Sequence, residues 1–215
     1  MKKRNPLWIV IALLGGLVAF WLLGLKLIMK LMKGRGEPCP SSWSWIVDNP
    51  LRRWDVRHAL NRAGLREGET VLELGPGPGA FTVDAAQRVG PTGRLIAVDI
   101  QPEMIAQVQA RVRETGLTNV ETHVASAYEL PIDDGTVDRV FLVTVLPEIP
   151  DPVRALREVS RVLKPDGIFS TTEEFLDPDY PNRKTTISWA DDAGFELAES
   201  FGNWWNYTLN FRRKP

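Results

Sequence analysis

The sequence predicts an α/β fold: a seven-stranded, mostly parallel sheet with helices on both faces, preceded by a single transmembrane helix. Three observations carry this expectation. From residue 70 onward, short β-branched runs alternate with longer amphipathic ones, the pattern of parallel strands joined by crossover helices. The first strand runs into the glycine-rich turn Glu73-Leu-Gly75-Pro-Gly77-Pro-Gly79. Residues 7–25 are 19 consecutive residues without a charge, about 28 Å as a helix and close to the thickness of a hydrocarbon core.

Charge divides the chain in two. Residues 1–36 hold seven Lys or Arg and no acid, leaving 19 basic and 27 acidic residues in 37–215, so the net charge of −1 is a +7 end plus a −8 body. Trp8 and Trp21 lie toward the two ends of the uncharged run, as membrane-interface residues or as ordinary apolar ones. A secretory signal peptide would share the start Lys2, Lys3 and Arg4, but its apolar region would be overlong and no A-x-A-like site follows. Lys26, Lys30 and Lys33 then recur at helical spacing while Leu27, Ile28, Leu31 and Met32 fill other faces, which predicts a basic extension on an anionic membrane surface. The expected organisation is an anchor and extension over 1–36, a linker over 37–50 and a folded domain over 51–215. Trp43, Trp45 and Trp54 either cover the domain's core or form an entrance for an apolar substrate.

Strands are expected at 70–74, 94–99, 120–124, 137–143, 167–172, 195–201 and 206–212. The helices between them fall at 80–88, 102–115 (opened by Pro102), 152–163 (stopped by Pro165 and Gly167) and 183–193. In such sheets ligands bind beyond the carboxyl ends of the strands. There the glycines allow close backbone approach to a ligand. Asp99, at the end of the second strand, can accept hydrogen bonds from a ribose diol or cap the following helix. The acidic body argues against nucleic acid. The single Cys39 excludes an intrachain disulfide and any site of two or more thiolates, and no metal ligand set is expected.

Taken in order, VLELGPGPGAF, GRLIAVDIQPEM, NVETHVASAYELPIDDGTVDRVF and ALREVSRVLKPDG resemble the class I S-adenosylmethionine-dependent methyltransferases. The nearest are the type 11 group that includes the ubiquinone and menaquinone biosynthesis C-methyltransferases. The resemblance covers residues 55–175 and implies a Rossmann-like sheet with S-adenosylmethionine as cofactor. It implies that Glu73, Gly75, Gly77 and Gly79 surround the methionine part, Asp99 holds the ribose hydroxyls, and Ile100 and Met104 flank the adenine. Ala125, Ser126 and Ala127 would stand at the adenine edge, where relatives often have Gly-Asp-Ala; serine is an uncharged acceptor.

Methyl transfer from a sulfonium needs positioning more than a base. If the acceptor must lose a proton, Glu148 after the fourth strand and Glu173 or Glu174 after the fifth are the catalytic candidates; each can equally be a solvated or capping acid. His123 reads as structural, and His58 reaches the site only if its helical lead-in folds over it. Asn203-Trp204-Trp205-Asn206-Tyr207 forms an acceptor wall or a packed hairpin turn. The sequence thus leads to a membrane-anchored methyltransferase with a small amphiphilic or lipid-like acceptor, its domain placed in the cytoplasm by its cofactor. The alternative is a non-catalytic S-adenosylmethionine-binding scaffold, motivated by Ser126 and the lack of an obvious base. An NAD-dependent oxidoreductase is disfavoured by the G-x-G-x-G spacing.

Overall fold

The computed structural model describes residues 6–33 and 38–215, without the side chains of 6, 7, 18, 19, 21, 22, 25, 32, 33, 46, 47 and 51. Helix α1 (Pro6–Lys33) is followed by a 3-10 turn at Ser41–Trp43 and the short helices α2 (Ser44–Val47), α3 (Pro50–Val56) and α4 (Ala59–Ala63). The side chain of Asn49 accepts the Arg52 N–H at 3.0 Å and Pro50 opens α3, a pairing that satisfies an orphan donor and presets φ. Within the stretch 37–50 expected as a linker, residues 41–47 are thus helical.

The sheet consists of β1 (Thr70–Leu74), β2 (Arg94–Asp99), β3 (Val120–Val124), β4 (Val137–Val143), β5 (Leu163–Glu174), β6 (Phe195–Gly202) and β7 (Asn206–Arg213). Interleaved are α5 (Thr82–Val89), α6 (Pro102–Thr115), α7 (Pro152–Val162) and α8 (Arg183–Asp192). The strand order is β3-β2-β1-β4-β5-β7-β6, with β7 antiparallel to both neighbours. The order reverses between β1 and β4, which sets the ligand crevice at their carboxyl ends. Strand β5 starts earlier than expected because Leu163 pairs with Val137 and Ile168 with Arg139, so Pro165 and Gly167 sit in an irregularity of the strand rather than before it.

Strand side chains alternate between two cores. Leu72, Ile96, Val140 and Leu142 pack with Leu156, Val159 and Val162 of α7, while Val71, Leu95 and Phe141 pack with Ala85, Ala86 and Val89 of α5. A sheet covered on both faces explains strands that read as nearly continuous apolar runs.

Among the described residues no helix is long and apolar enough to cross a membrane. The transmembrane helix expected over 7–25 is thus not found as such among the described residues, although the run is helical within α1. The basic extension also differs from expectation. Lys26 does not lie out on a surface; its ammonium donates to the Phe175 carbonyl and sits 4.3 Å from the Phe175 ring centroid.

Candidate functional site

One cavity of about 780 Å³ opens at the carboxyl ends of β1, β2, β4 and β5, a size in the range of small-molecule sites. It is lined by ten of the residues singled out in the sequence: Gly75, Gly77, Asp99, Ile100, Met104, Ala125, Ser126, Ala127, Glu148 and Glu174. Three others do not line it. Glu73 is buried behind the glycine turn, Gly79 packs against Val108 and Arg111, and Glu173 is fully buried with Thr171 Oγ1 donating to its Oε1 at 2.8 Å. Adjacent strand residues point to opposite faces, so Glu174 enters the cavity and Glu173 the core.

At the polar end Asp99 is 7% exposed, and its two oxygens accept N–H groups from Gly77 at 3.2 Å and Gln101 at 2.9 Å. It does not cap α6, whose N-cap is Gln101. Each carboxylate oxygen keeps a lone pair for a further donor, the requirement for holding a diol. Burial raises the Asp99 pKa above its ordinary value, partly offset by these amide donors. Gly75 adopts φ +70°, and a Cβ there would lie 2.5 Å from Val145 Cγ2. The turn needs glycine on both counts. Burial, reinforced by nearby Asp99, pushes Glu73 up to about 8, and its Oε2 has no hydrogen-bond partner. Ser126 Oγ accepts the Tyr128 N–H at 3.2 Å and retains its own proton to donate.

The opposite end brings Glu148, Glu174 and Trp205 together with Arg52 and Thr144, two residues the sequence did not reveal. Arg52 of α3 donates through Nε to Glu174 and through Nη2 to Thr144 Oγ1 at 2.5 Å. Burial opposes the Arg52 cation, but the carboxylates of Glu174, Asp177 and Glu148 outweigh it and raise its pKa. Thr144, just past β4, has φ +56°, the one left-handed non-glycine among the described residues. Such a backbone costs about 1–3 kcal/mol and persists only where its surroundings hold it; the Thr172 carbonyl accepts its N–H at 2.8 Å and Arg52 holds its hydroxyl. Glu148 Oε2 accepts the Cys39 N–H at 3.3 Å, and Gln101 Nε2 donates to the Cys39 carbonyl at 2.9 Å, strapping residues 38–40 across the site. Trp205 lines the cavity while Trp204 is exposed, and the Asn203 N–H donates to the Asn206 carbonyl at 2.8 Å in the turn between β6 and β7. His58 and His123 line no part of it.

Comparison with known proteins fits this geometry. The family model described as a methyltransferase domain matches residues 72–171. An uncharacterized 37.1 kDa protein in transposon TN4556 of Streptomyces fradiae is 38% identical over 126 residues, 57% of this chain and 36% of that protein. The ubiquinone/menaquinone biosynthesis C-methyltransferase UbiE of Enterobacter sp. (strain 638) is 38% identical over 117 residues, 54% of this chain and 46% of the enzyme. The chain thus spans less than half the length of these curated relatives. The crystal structure of a SAM dependent methyltransferase from Aquifex aeolicus superposes with a TM-score of 0.75 at 25% identity, covering 81% of this chain and 98% of that one. The matched family model and the Aquifex aeolicus structure are those of methyltransferases, which implies S-adenosylmethionine as the cofactor. The residues present fit that group: a buried diol acceptor at Asp99, a backbone turn without side chains, and an apolar wall at Met104 and Ala125.

Proposed function

We propose that the protein is a methyltransferase held at a membrane by α1, with its folded domain in the cytoplasm, and that it methylates a small amphiphilic or lipid-like acceptor. The observation that supports this most is one continuous cavity with Asp99 and the glycine turn at one end and Arg52, Glu174 and Glu148 among apolar walls at the other. The membrane part rests on the uncharged run 7–25 and on α1 side chains such as Leu13, Leu17 and Phe20, 65%, 64% and 78% exposed. A soluble surface rarely carries so long an apolar face.

S-adenosylmethionine, when bound, supplies an electrophilic methyl on a good leaving group. Asp99 would hold the ribose, Gly75 and Gly77 would let the backbone approach the methionine part, and Met104 would pack on the adenine. Leu74, Val143 and Val145 keep the cavity's centre apolar, which favours a desolvated displacement. Glu174, fixed by Arg52, and Glu148, fixed by the residue 39 amide, present carboxylates that orient the acceptor or receive its proton.

Calorimetry on the full chain in lipid nanodiscs tests the cofactor end. S-adenosylmethionine should bind and lose about 100-fold or more in affinity in Asp99→Ala, as expected for two lost hydrogen bonds to a charged group. No binding by the folded protein overturns the reading. Membrane extract incubated with methyl-labelled cofactor should then yield a labelled lipid-soluble product. Label confined to water-soluble products refutes the acceptor class, and binding without any turnover makes the protein a scaffold.

A further inference from the structure

The last turns of α1 have the reverse of the amphipathicity expected in water. Leu27, Ile28 and Leu31 are 58%, 54% and 76% exposed, whereas Lys26, Met29 and Lys30 are half-buried. Residues three and four apart share one helix face, so Lys26, Met29 and Lys30 form a single stripe. That stripe faces the domain: Lys26 and Met29 line the cavity, the Lys26 ammonium lies over Phe175, and Asp177 and Asp179 act on its charge. Charges turn inward and leucines outward.

The apolar outer face continues onto the domain at the cavity mouth. Trp204 packs edge-on against Phe175 with centroids 5.4 Å apart and is 69% exposed; Trp54 and Leu176, both lining the cavity, are 65% and 37% exposed. Indoles favour the boundary between lipid and water. The leucine face is also continuous along one helix with the uncharged run 7–25, whose described side chains from Trp8 to Leu17 are all exposed. That continuity selects a bilayer rather than a second protein chain as the covering.

We propose that the cavity's rim, Leu27, Ile28 and Leu31 of α1 together with Trp54, Leu176 and Trp204, lies in the lipid of the membrane, so that the acceptor passes from bilayer to cavity without crossing water. This rests on the membrane reading above and adds to it the depth and orientation of the domain.

The test places a clickable azido-phenylalanine at one position at a time, Leu14, Leu31, Trp204 or Glu196, in the full chain with Cys39 intact, and attaches an environment-sensitive dye. The proteins are reconstituted in phosphatidylcholine and phosphatidylglycerol vesicles carrying nitroxides near the top of the acyl chains, and cofactor binding is checked for each. Dyes at Leu31 and Trp204 should be quenched several-fold more than the dye at Glu196, which lies exposed on β6, while the dye at Leu14, near the middle of the run 7–25, is read in parallel vesicles with nitroxides near the ends of the acyl chains. Quenching at Leu14 with Leu31 and Trp204 no better than Glu196 overturns this inference alone. No quenching at Leu14 overturns the membrane reading as well. A blue-shifted but unquenched dye at Leu31 and Trp204 means that protein, not lipid, covers the rim, and also overturns it.

Discussion

Replacing Glu73 with Gln should make the protein more stable at alkaline pH and nearly unchanged at acid pH. Glu73 is 2% exposed, and burial lifts its pKa from an ordinary 4.5 to about 8. Between those values the folded state keeps a proton that the unfolded chain has released, so stability falls as pH rises through this window and is flat on either side of it. At about 1.4 kcal/mol per pH unit the whole window is worth about 5 kcal/mol, of which about 4 falls between about pH 5 and about pH 8.5. Glutamine keeps the shape and cannot ionise. Urea unfolding of the full chain in detergent, without cofactor, compares wild type and Glu73→Gln at those two pH values. The variant's advantage should grow by about 4 kcal/mol; growth below about 1 kcal/mol would refute the reasoning, since it would mean that Glu73 ionises in place or reaches water.

Three further outcomes are expected. Arg52→Ala strands the buried Glu174 carboxylate and should cost about 3–5 kcal/mol by the same unfolding assay, whereas Arg52→Met combined with Glu174→Met should recover most of that loss. Gly75→Ala combines a left-handed backbone with a Cβ 2.5 Å from Val145 Cγ2 and should cost about 2–4 kcal/mol; Val145→Ala in the same chain should relieve the steric part. Glu148→Gln and Glu174→Gln should lower turnover about tenfold or more while Glu173→Gln leaves it within about twofold, measured by label transfer once the acceptor is in hand.

The centre of the sheet was legible because β1, β2 and β4 are buried along most of their length and carry mostly β-branched and aliphatic residues. The cofactor end was legible for a related reason: Gly75 and Asp99 meet local backbone requirements at strand ends, and these leave a fixed signature in sequence. The acceptor end did not. Glu173 and Glu174 are the same residue type one position apart, and only the pairing of β5 with β7, Glu173 with Tyr207 and Glu174 with Asn206, decides which faces the cavity. Arg52 carries no motif; it matters because α3 lays it across Thr144 and Glu174, a contact 92 residues away in one case and 122 in the other. The face that Lys26 turns inward meets Phe175, likewise far along the chain.

The matched span 72–171 contains Gly75, Asp99 and Ser126, but Met29, Cys39, Arg52, Glu174 and Trp205 of the same cavity all lie outside it. The end of the cavity beyond Asp99 thus combines Thr144 and Glu148 from within the matched span with Arg52, Glu174 and Trp205 from outside it. A change before residue 72 or after residue 171 would alter that end of the cavity without touching Asp99.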